Sequence, residues 1–326
     1  MKTIVILVPE TAVLEAIADP RYLFTAANDF LASVGKPPLF HVVLVGMTKE
    51  VRLMNGLATI HPDFVLANAP KADLIFIPAI SGDLQTAIDL NRPFYVWIRQ
   101  QYADGAEVAS LCIGAFLLAS TGLLDGKKCS THWLSAHDFR LMFPDVELVD
   151  GSIISEEQGV YSSGGANSYW NLLLYLLEKF TDRATAILAS KFFAIDIDRD
   201  SQSKFMMFQG QRKHTDEAVL HAQDFIEANF QEKISVDELA DRFSIGRRSF
   251  ERRFKKATLN TVMEYIQRVK VEAAKRSFES SRKNVNEVMF DVGYTDTKAF
   301  RDLFRKLTGL SPVEYRNKYN KQPESI

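Results

Sequence analysis

The sequence of 326 residues predicts a parallel α/β sandwich in its first part and an all-α domain with two helix-turn-helix units in its last part. Apolar runs alternate with helical stretches in the first part, and a pattern repeats at an offset of fifty residues in the last. Residues 1–210 carry 16 Lys and Arg against 23 Asp and Glu, whereas residues 211–326 carry 23 against 18. The basic last part is therefore the candidate for binding phosphate groups.

Four continuous apolar runs are typical of the buried strands of a parallel sheet. They cover residues 3–8, 41–46, 72–78 and 107–112. Helical stretches separate or follow them at residues 11–35, 83–103 and 113–122. This alternation predicts a parallel sheet covered by helices on both faces, with ligand sites at the carboxyl ends of the strands.

Polar and small residues follow these runs, and Cys112 is the most informative of them. It lies at a strand-to-helix turn, where unpaired N–H groups and a partial positive charge stabilise a thiolate. We therefore expect its thiol to be more acidic than that of Cys129. Three alternatives remain open for this region. Cys112 is then a buried packing residue, His132 forms only structural hydrogen bonds, and Glu15 lies exposed on a helix.

The segment SLCIGAFLLASTGLLDGKKCSTHW, residues 110–133, resembles the cysteine elbow of the ThiJ/PfpI family within the class I glutamine amidotransferase-like superfamily. It is most similar to the variant in GlxA-type transcription regulators. The resemblance covers roughly residues 1–185 and implies a flavodoxin-like parallel sheet sandwich. It also implies an effector pocket for a small nitrogen-containing metabolite. The implied pocket residues are Glu15, Ser81, Gly82, Cys112, Ile113, His132, Gly164 and Gly165.

Two departures from the family pattern bear on catalysis. Ala79 and Ile80 stand where many relatives have a glycine pair. Their side chains hinder the close approach of the backbone to an oxyanion. Glu15 stands where most regulator-type relatives have an aspartate, and it matches the enzyme-like members better. The first part is therefore either a sensor domain or a cysteine-dependent amidase. The sensor is favoured, because a complete double DNA-reading domain has no evident use in a plain amidase.

The last part contains a duplicated helical pattern, in which residues 249–268 align with residues 299–318. Each copy follows a short helix and a turn, which is the helix-turn-helix pattern. The first short helix opens with a capping box at Ser235 and Glu238. Thr295 is the expected N-cap of the basic helix in the second copy. A solvated charged face is the alternative for each basic helix alone, but two copies in one basic domain favour DNA binding.

The N-terminal residues of the second helix in such a motif enter the major groove of DNA. The candidate DNA-binding residues are Arg247, Arg248, Glu251 and Arg252 in the first unit and Thr297, Lys298 and Arg301 in the second. Residues 216–316 closely resemble the AraC/XylS family, which implies two such units joined by a long helix, here residues 262–279.

These patterns predict a sensor domain at residues 1–190, a linker at 191–215, a DNA-binding domain at 216–316 and a tail at 317–326. The apolar segment KFMMFQ within the linker is expected to dock on one domain. Two cysteines and no long apolar window favour a cytoplasmic protein with no membrane partner. We expect double-stranded DNA, a small-molecule effector and a second copy as partners, and no metal or cofactor.

Overall fold

A computed structural model describes residues 1–197 and 201–320. The chain divides after Gln202 into two compact parts, an α/β sandwich and an all-α domain, so the predicted fold class is confirmed. The predicted bounds of sensor, linker and DNA-binding domain stay a prediction. Positions 198–200 of the predicted linker and 321–326 of the predicted tail lie outside the described residues.

The α/β part is built on a seven-stranded sheet with the strand order β10-β11-β7-β6-β1-β2-β5, in which only β10 and β11 pair antiparallel. Two further pairs of short strands, β3-β4 and β8-β9, lie outside it. The strands are β1 (Lys2–Val8), β2 (Phe40–Gly46), β3 (Val51–Leu53), β4 (Ala58–Ile60), β5 (Phe64–Val65), β6 (Leu74–Ile77), β7 (Glu107–Ser110), β8 (Lys128–Cys129), β9 (Glu147–Leu148), β10 (Ile154–Glu157) and β11 (Val160–Ser163).

Helices cover both faces of this sheet, which explains why β1 is apolar and buried from Ile4 to Val8. Ile4 and Ile6 point into one core and Val5 and Leu7 into the other, because successive side chains of a strand alternate between its faces. The helices are α1 (Glu15–Ser33), α2 (Leu84–Leu90), α3 (Pro93–Ala103), α4 (Ala115–Ser120), α5 (Ala136–Met142), α6 (Tyr169–Phe180) and α7 (Arg183–Phe193).

Several predicted elements differ in extent from the structure. The helix expected over residues 11–35 begins only at Glu15, and the strand expected over 107–112 ends at Ser110. The helix expected over 83–103 is two helices, because α2 ends at Leu90 and Pro93 opens α3 at a position where its missing N–H costs nothing.

The all-α part contains two small cores joined by one long helix. Its helices are α8 (Glu217–Ala228), α9 (Val236–Arg242), α10 (Arg247–Thr258), α11 (Val262–Ser280), α12 (Val285–Asp291), α13 (Thr297–Thr308) and α14 (Pro312–Tyr319). Phe250 and Phe254 fill the first core and Phe300 and Phe304 the second, all fully buried. The predicted duplication is thus a duplication of core packing, and α11 matches the predicted connecting helix.

The N-cap expected at Thr295 is wrong by one residue. Asp296 caps α13, accepting hydrogen bonds from the backbone N–H groups of Lys298 at 2.8 Å and Ala299 at 3.2 Å. A carboxylate at this position also adds a favourable charge at the positive end of the helix. The capping box predicted at Ser235 and Glu238 is confirmed.

The apolar segment KFMMFQ docks on the all-α part, as expected. The ring of Phe208 packs edge-on against Tyr265 with centroids 5.0 Å apart. The backbone N–H of Phe208 donates to Glu272 at 3.0 Å, and Lys275 donates to the backbone oxygen of Met206 at 2.5 Å. The segment is therefore held by side chains of α11.

Candidate effector pocket and DNA-binding surface

Cys112 occupies a strained turn directly after β7. Its φ is +56°, a conformation that non-glycine residues rarely adopt. A Cβ at Gly114 would come within 2.5 Å of the backbone oxygen of Pro78 and 2.6 Å of that of Ile77, so only glycine fits there. The Cys112 N–H donates to the hydroxyl of Ser163 at 3.3 Å. The elbow geometry predicted from the sequence is therefore present, held by close backbone packing.

The predicted acidity of Cys112 is wrong. Its side chain is 5% exposed, and burial raises the pKa of the thiol to about 12, as it also does for Cys129. The helix after the turn, α4, has only six residues, and its N-terminus does not offset the cost of burying a thiolate. The elbow therefore holds a neutral thiol.

We expect Cys112 and Cys129 to react slowly and at similar rates with iodoacetamide around neutral pH, because both pKa values are raised by burial. Rates rise only as pH approaches those raised values. Mass spectrometry of each cysteine peptide against pH measures this, and the denatured chain, in which both react freely, is the control. Fast alkylation confined to Cys112 would contradict the neutral-thiol assignment.

His132 is not arranged as a base for Cys112. Its Nδ1 accepts a hydrogen bond from the backbone N–H of Leu134 at 3.1 Å and so caps a short helical turn. Burial lowers the pKa of the imidazole. Within residues 1–197 and 201–320, His132 and Cys112 share no hydrogen bond, whereas the neighbouring Thr131 hydroxyl donates to the Cys112 carbonyl at 3.2 Å.

The acidic side of the site contains a residue that the sequence analysis missed. Glu15, the first residue of α1, is exposed, and one turn later Asp19 is half-buried. The Tyr169 hydroxyl donates to Asp19 at 2.6 Å, and Trp170 also hydrogen-bonds this carboxylate. Burial raises the pKa of Asp19, and the charge of Glu15 adds to the rise.

Tyr169 connects these acids to the cysteine. Burial raises the pKa of its phenol, and its hydrogen bond to Asp19 and the negative charges of Asp19, Glu15 and an ionised Cys112 raise it further. Those four side chains therefore lie within electrostatic range of one another. The i, i+4 spacing of Glu15 and Asp19, together with the aromatic pair Tyr169–Trp170, was the sequence signal for this cluster.

The predicted pocket residues after β6 lie in ordinary backbone pairing. Ser81 donates from its N–H and its hydroxyl to the backbone oxygen of Thr11, at 2.8 and 3.1 Å, and Gly82 has a φ of +83°. Ala79 and Ile80 are buried, and Ile80 bridges to Ala12. Their side chains belong to the core, which leaves no glycine pair in this segment.

Gly164 and Gly165 pack against Gln202. A Cβ on Gly164 would lie 1.8 Å from the Gln202 amide nitrogen. That side chain is 2% exposed, donates to the backbone oxygens of Thr131 at 3.1 Å and Ser152 at 2.8 Å, and accepts from the Trp133 N–H at 3.3 Å. Gln202 therefore fixes the loop that carries Thr131 and, next to it, His132.

Ile113, the residue after the elbow cysteine, is half-buried and packs against the cores on both faces of the sheet. Its backbone N–H lowers the pKa of the Cys112 thiol by hydrogen bonding, but the effect of burial is larger. Ile113 therefore anchors the elbow, and its place in the pocket stays a prediction.

The all-α part presents two basic helices with their aromatic faces buried. The side chains of Arg248, Arg252, Lys298 and Arg301 are exposed and make no hydrogen bond or ion pair within the described part of the chain. Thr297 lies at the start of α13, half-buried. Unpaired cations at the beginning of a recognition helix are available to phosphates and to base edges.

Arg247 and Glu251 are engaged within the protein. The Arg247 guanidinium lies 3.0 Å from a carboxylate oxygen of Asp237 on α9 and 3.4 Å from one of Glu251. The pair with Asp237 joins α9 to α10, whereas the pair with Glu251 lies within α10. Of the seven predicted DNA-binding residues, these two therefore have an internal partner.

No group of three or more His, Cys, Asp or Glu side chains within the described ranges could hold a metal ion. The same ranges contain no helix with the length and apolar character that a membrane crossing requires.

Comparison with known proteins agrees with both parts of the chain. A model of the DJ-1/PfpI family matches residues 4–179, and a model of a helix-turn-helix domain matches residues 239–318. The HTH-type transcriptional regulator GbdR of Pseudomonas aeruginosa is 26% identical over 274 residues, covering 82% of this chain and 72% of that protein. The regulator ArgR of the same species is 25% identical, covering 68% and 67%.

Among solved structures, a ThiJ/PfpI family protein from Pseudomonas syringae superposes with a TM-score of 0.50 at 18% identity, covering 74% of this chain and 90% of that one. That likeness concerns the fold. The family match spans more than half of the sequence and includes the Cys112 elbow. This chain therefore belongs to the DJ-1/PfpI family and carries a helix-turn-helix domain of the AraC type in its last part.

Proposed function

We propose that this protein is a transcriptional regulator that binds operator DNA through its all-α part and a small nitrogen-containing effector through its α/β part. The observation that supports DNA binding is the set of unpaired cations on α10 and α13, backed by two identical phenylalanine pairs. GbdR and ArgR, which resemble most of this chain, are both named transcriptional regulators. Such a protein acts where the DNA is, in the cytoplasm of a bacterial cell.

The effector site that we propose lies between the elbow and the start of α1. Asp19 and Glu15 supply negative charge there, and the aromatic side chains of Tyr169 and Trp170 lie beside Asp19. Carboxylates beside aromatic rings attract ammonium or quaternary nitrogen groups through charge and cation–π interactions. This chemistry supports an amine-containing metabolite as the effector.

We propose that the pocket binds its ligand without catalysing a reaction of it. The Cys112 thiol is neutral, His132 uses its Nδ1 for a backbone hydrogen bond, and no glycine pair follows β6. An amidase would need a thiolate, a base and oxyanion donors together.

We also propose that two copies pair through the α/β part, and sedimentation of the full chain would detect such a dimer.

We expect the Asp19→Asn variant to bind a cationic effector about 10- to 100-fold more weakly, because it removes a partly desolvated charge while keeping a side-chain oxygen that can accept from Tyr169. Calorimetry with a panel of amino acids and quaternary amines measures this. Since burial raises the pKa of Asp19, wild-type affinity should fall as pH drops and this carboxylate is protonated.

Asp29→Asn is the matched control, because Asp29 is an exposed residue of the same helix. It should leave affinity unchanged. If Asp19→Asn binds every panel member as tightly as the wild type does, this carboxylate is not part of the effector site.

A further inference from the structure

Lys270 is a buried lysine in the middle of α11, the helix that joins the two helix-turn-helix units. The residue is 7% exposed. Its Nζ donates to the backbone oxygen of Glu232 at 3.3 Å and to that of Val292 at 3.1 Å. Glu232 lies between α8 and α9 of the first helix-turn-helix unit, and Val292 is the C-cap that follows α12 of the second. One ammonium group therefore bonds to both helix-turn-helix units.

The backbone around this lysine brings the two helix-turn-helix units into direct contact. Gly293, at the turn before α13, has a φ of +75°. A Cβ there would come within 2.0 Å of the backbone oxygen of Gln231 and 2.7 Å of the Lys270 Nζ. The turn of the second helix-turn-helix is thus packed on the loop of the first, and Lys270 bonds across the same junction.

Burying this lysine carries a desolvation cost. Burial lowers the pKa of Lys270, and the charge of Glu232 only partly opposes that effect. Both of its hydrogen-bond acceptors are neutral carbonyl groups, so no buried ion pair offsets the desolvation cost. An apolar side chain of the same length would fill the space without that cost. Such a side chain lacks the pair of directed bonds that fix one helix-turn-helix unit against the other.

We propose that Lys270 is a positioning residue for DNA recognition, which sets the distance between α10 and α13 and hence the spacing of the two half-sites that one protein molecule reads. Recognition helices on one face of B-DNA enter successive major grooves about 10–10.5 base pairs apart. Each inserted base pair rotates one half-site about a tenth of a turn away from the other. A rigid junction would make binding sensitive to a single inserted base pair. This inference rests on the proposed DNA-binding function.

The test uses the full chain and a library of operators, taken from a selection with the wild type, in which the two half-sites are separated by varied numbers of base pairs. We expect the wild type to prefer one spacing over its neighbours by about tenfold. Lys270→Met should reduce that preference to about twofold or less while the base preference within each half-site stays unchanged. Thermal unfolding of both proteins shows whether the fold is retained.

Lys275→Met is the matched control. Lys275 lies on the same helix and is 4% exposed, but it bonds to Glu272 and to the backbone of Met206 and not across the junction. It should keep the wild-type spacing preference even if stability falls. If Lys270→Met does not fold, Lys270→Gln, which retains a neutral donor in a shorter side chain, gives the same readout.

The outcomes separate this inference from the function on which it rests. A wild-type spacing preference that survives in the Lys270 variant, or an equal loss of affinity at every spacing, would overturn the positioning role alone. Failure of the wild type to select any operator would overturn the DNA-binding function and the positioning role together.

Discussion

Replacing Arg248 and Arg301 together with alanine is expected to cost about 2–6 kcal/mol of operator-binding free energy, because each loses about 1–3 kcal/mol if it pairs with a base edge. Both arginines are exposed and unpaired within the described residues, on different recognition helices. Their effects should add, since the two side chains share no partner. Fluorescence anisotropy at one fixed salt concentration measures the loss.

Arg247→Ala is the internal control for this prediction. Arg247 neighbours Arg248 on the same helix but pairs with Asp237 and Glu251, so its removal should weaken binding less. An equal loss in the Arg247 and Arg248 variants would show that internal pairing does not decide which arginine reads DNA. A loss that is uniform over all sequences would assign Arg248 to phosphate contact instead.

Phe304→Ala is expected to lower the free energy of unfolding of the all-α part by about 3–5 kcal/mol, the usual effect of removing a buried ring from a core. The ring is fully buried among Phe278, Phe300 and Tyr315, with centroids 5.6, 5.8 and 5.4 Å away. Loss of this core removes the platform of α13, so operator binding should fall as well.

Urea unfolding of the full chain, followed by circular dichroism, measures this effect as an earlier transition in the helical signal. Lys306→Ala is the matched control, since Lys306 is an exposed residue of the same helix. It should leave the transition within about 0.5 kcal/mol of wild type. A Phe304 variant as stable as this control would mean that the second core does not depend on its repeated phenylalanine.

Sequence periodicity predicted those elements whose structure is determined by nearby residues or by a single buried face. The alternation of strands and helices, the duplicated phenylalanine pairs and the capping box at Ser235 all arise from patterns within a few turns of chain. Strands β5, β10 and β11 escaped prediction because pairing with other strands, not their composition, makes them strands. Strand β5 pairs with β2 and β11 with β7, whereas β10 pairs with β11 in a hairpin.

The site was harder to predict because its properties are non-local. Helix position predicted an acidic thiol at Cys112, but burial by residues far along the chain has the opposite and larger effect on its pKa. The surroundings of Asp19 depend on Tyr169, 150 residues later, which donates a hydrogen bond to it. Gly164 was predicted to border the pocket, and its close packing depends on Gln202, a residue well beyond it in the chain.

The duplication in the all-α part preserves its interior and varies its surface. Phe250 and Phe300 are identical and buried, whereas the exposed Arg248 is replaced by Lys298 fifty residues on. Glu251 likewise corresponds to Arg301, so the two recognition helices differ in charge at an equivalent position. Two different recognition helices joined in a fixed order recognise an asymmetric operator, whose two half-sites differ. Inverting such an operator reverses the direction in which the bound protein faces the promoter. The orientation of the operator therefore matters, which it would not for a palindrome.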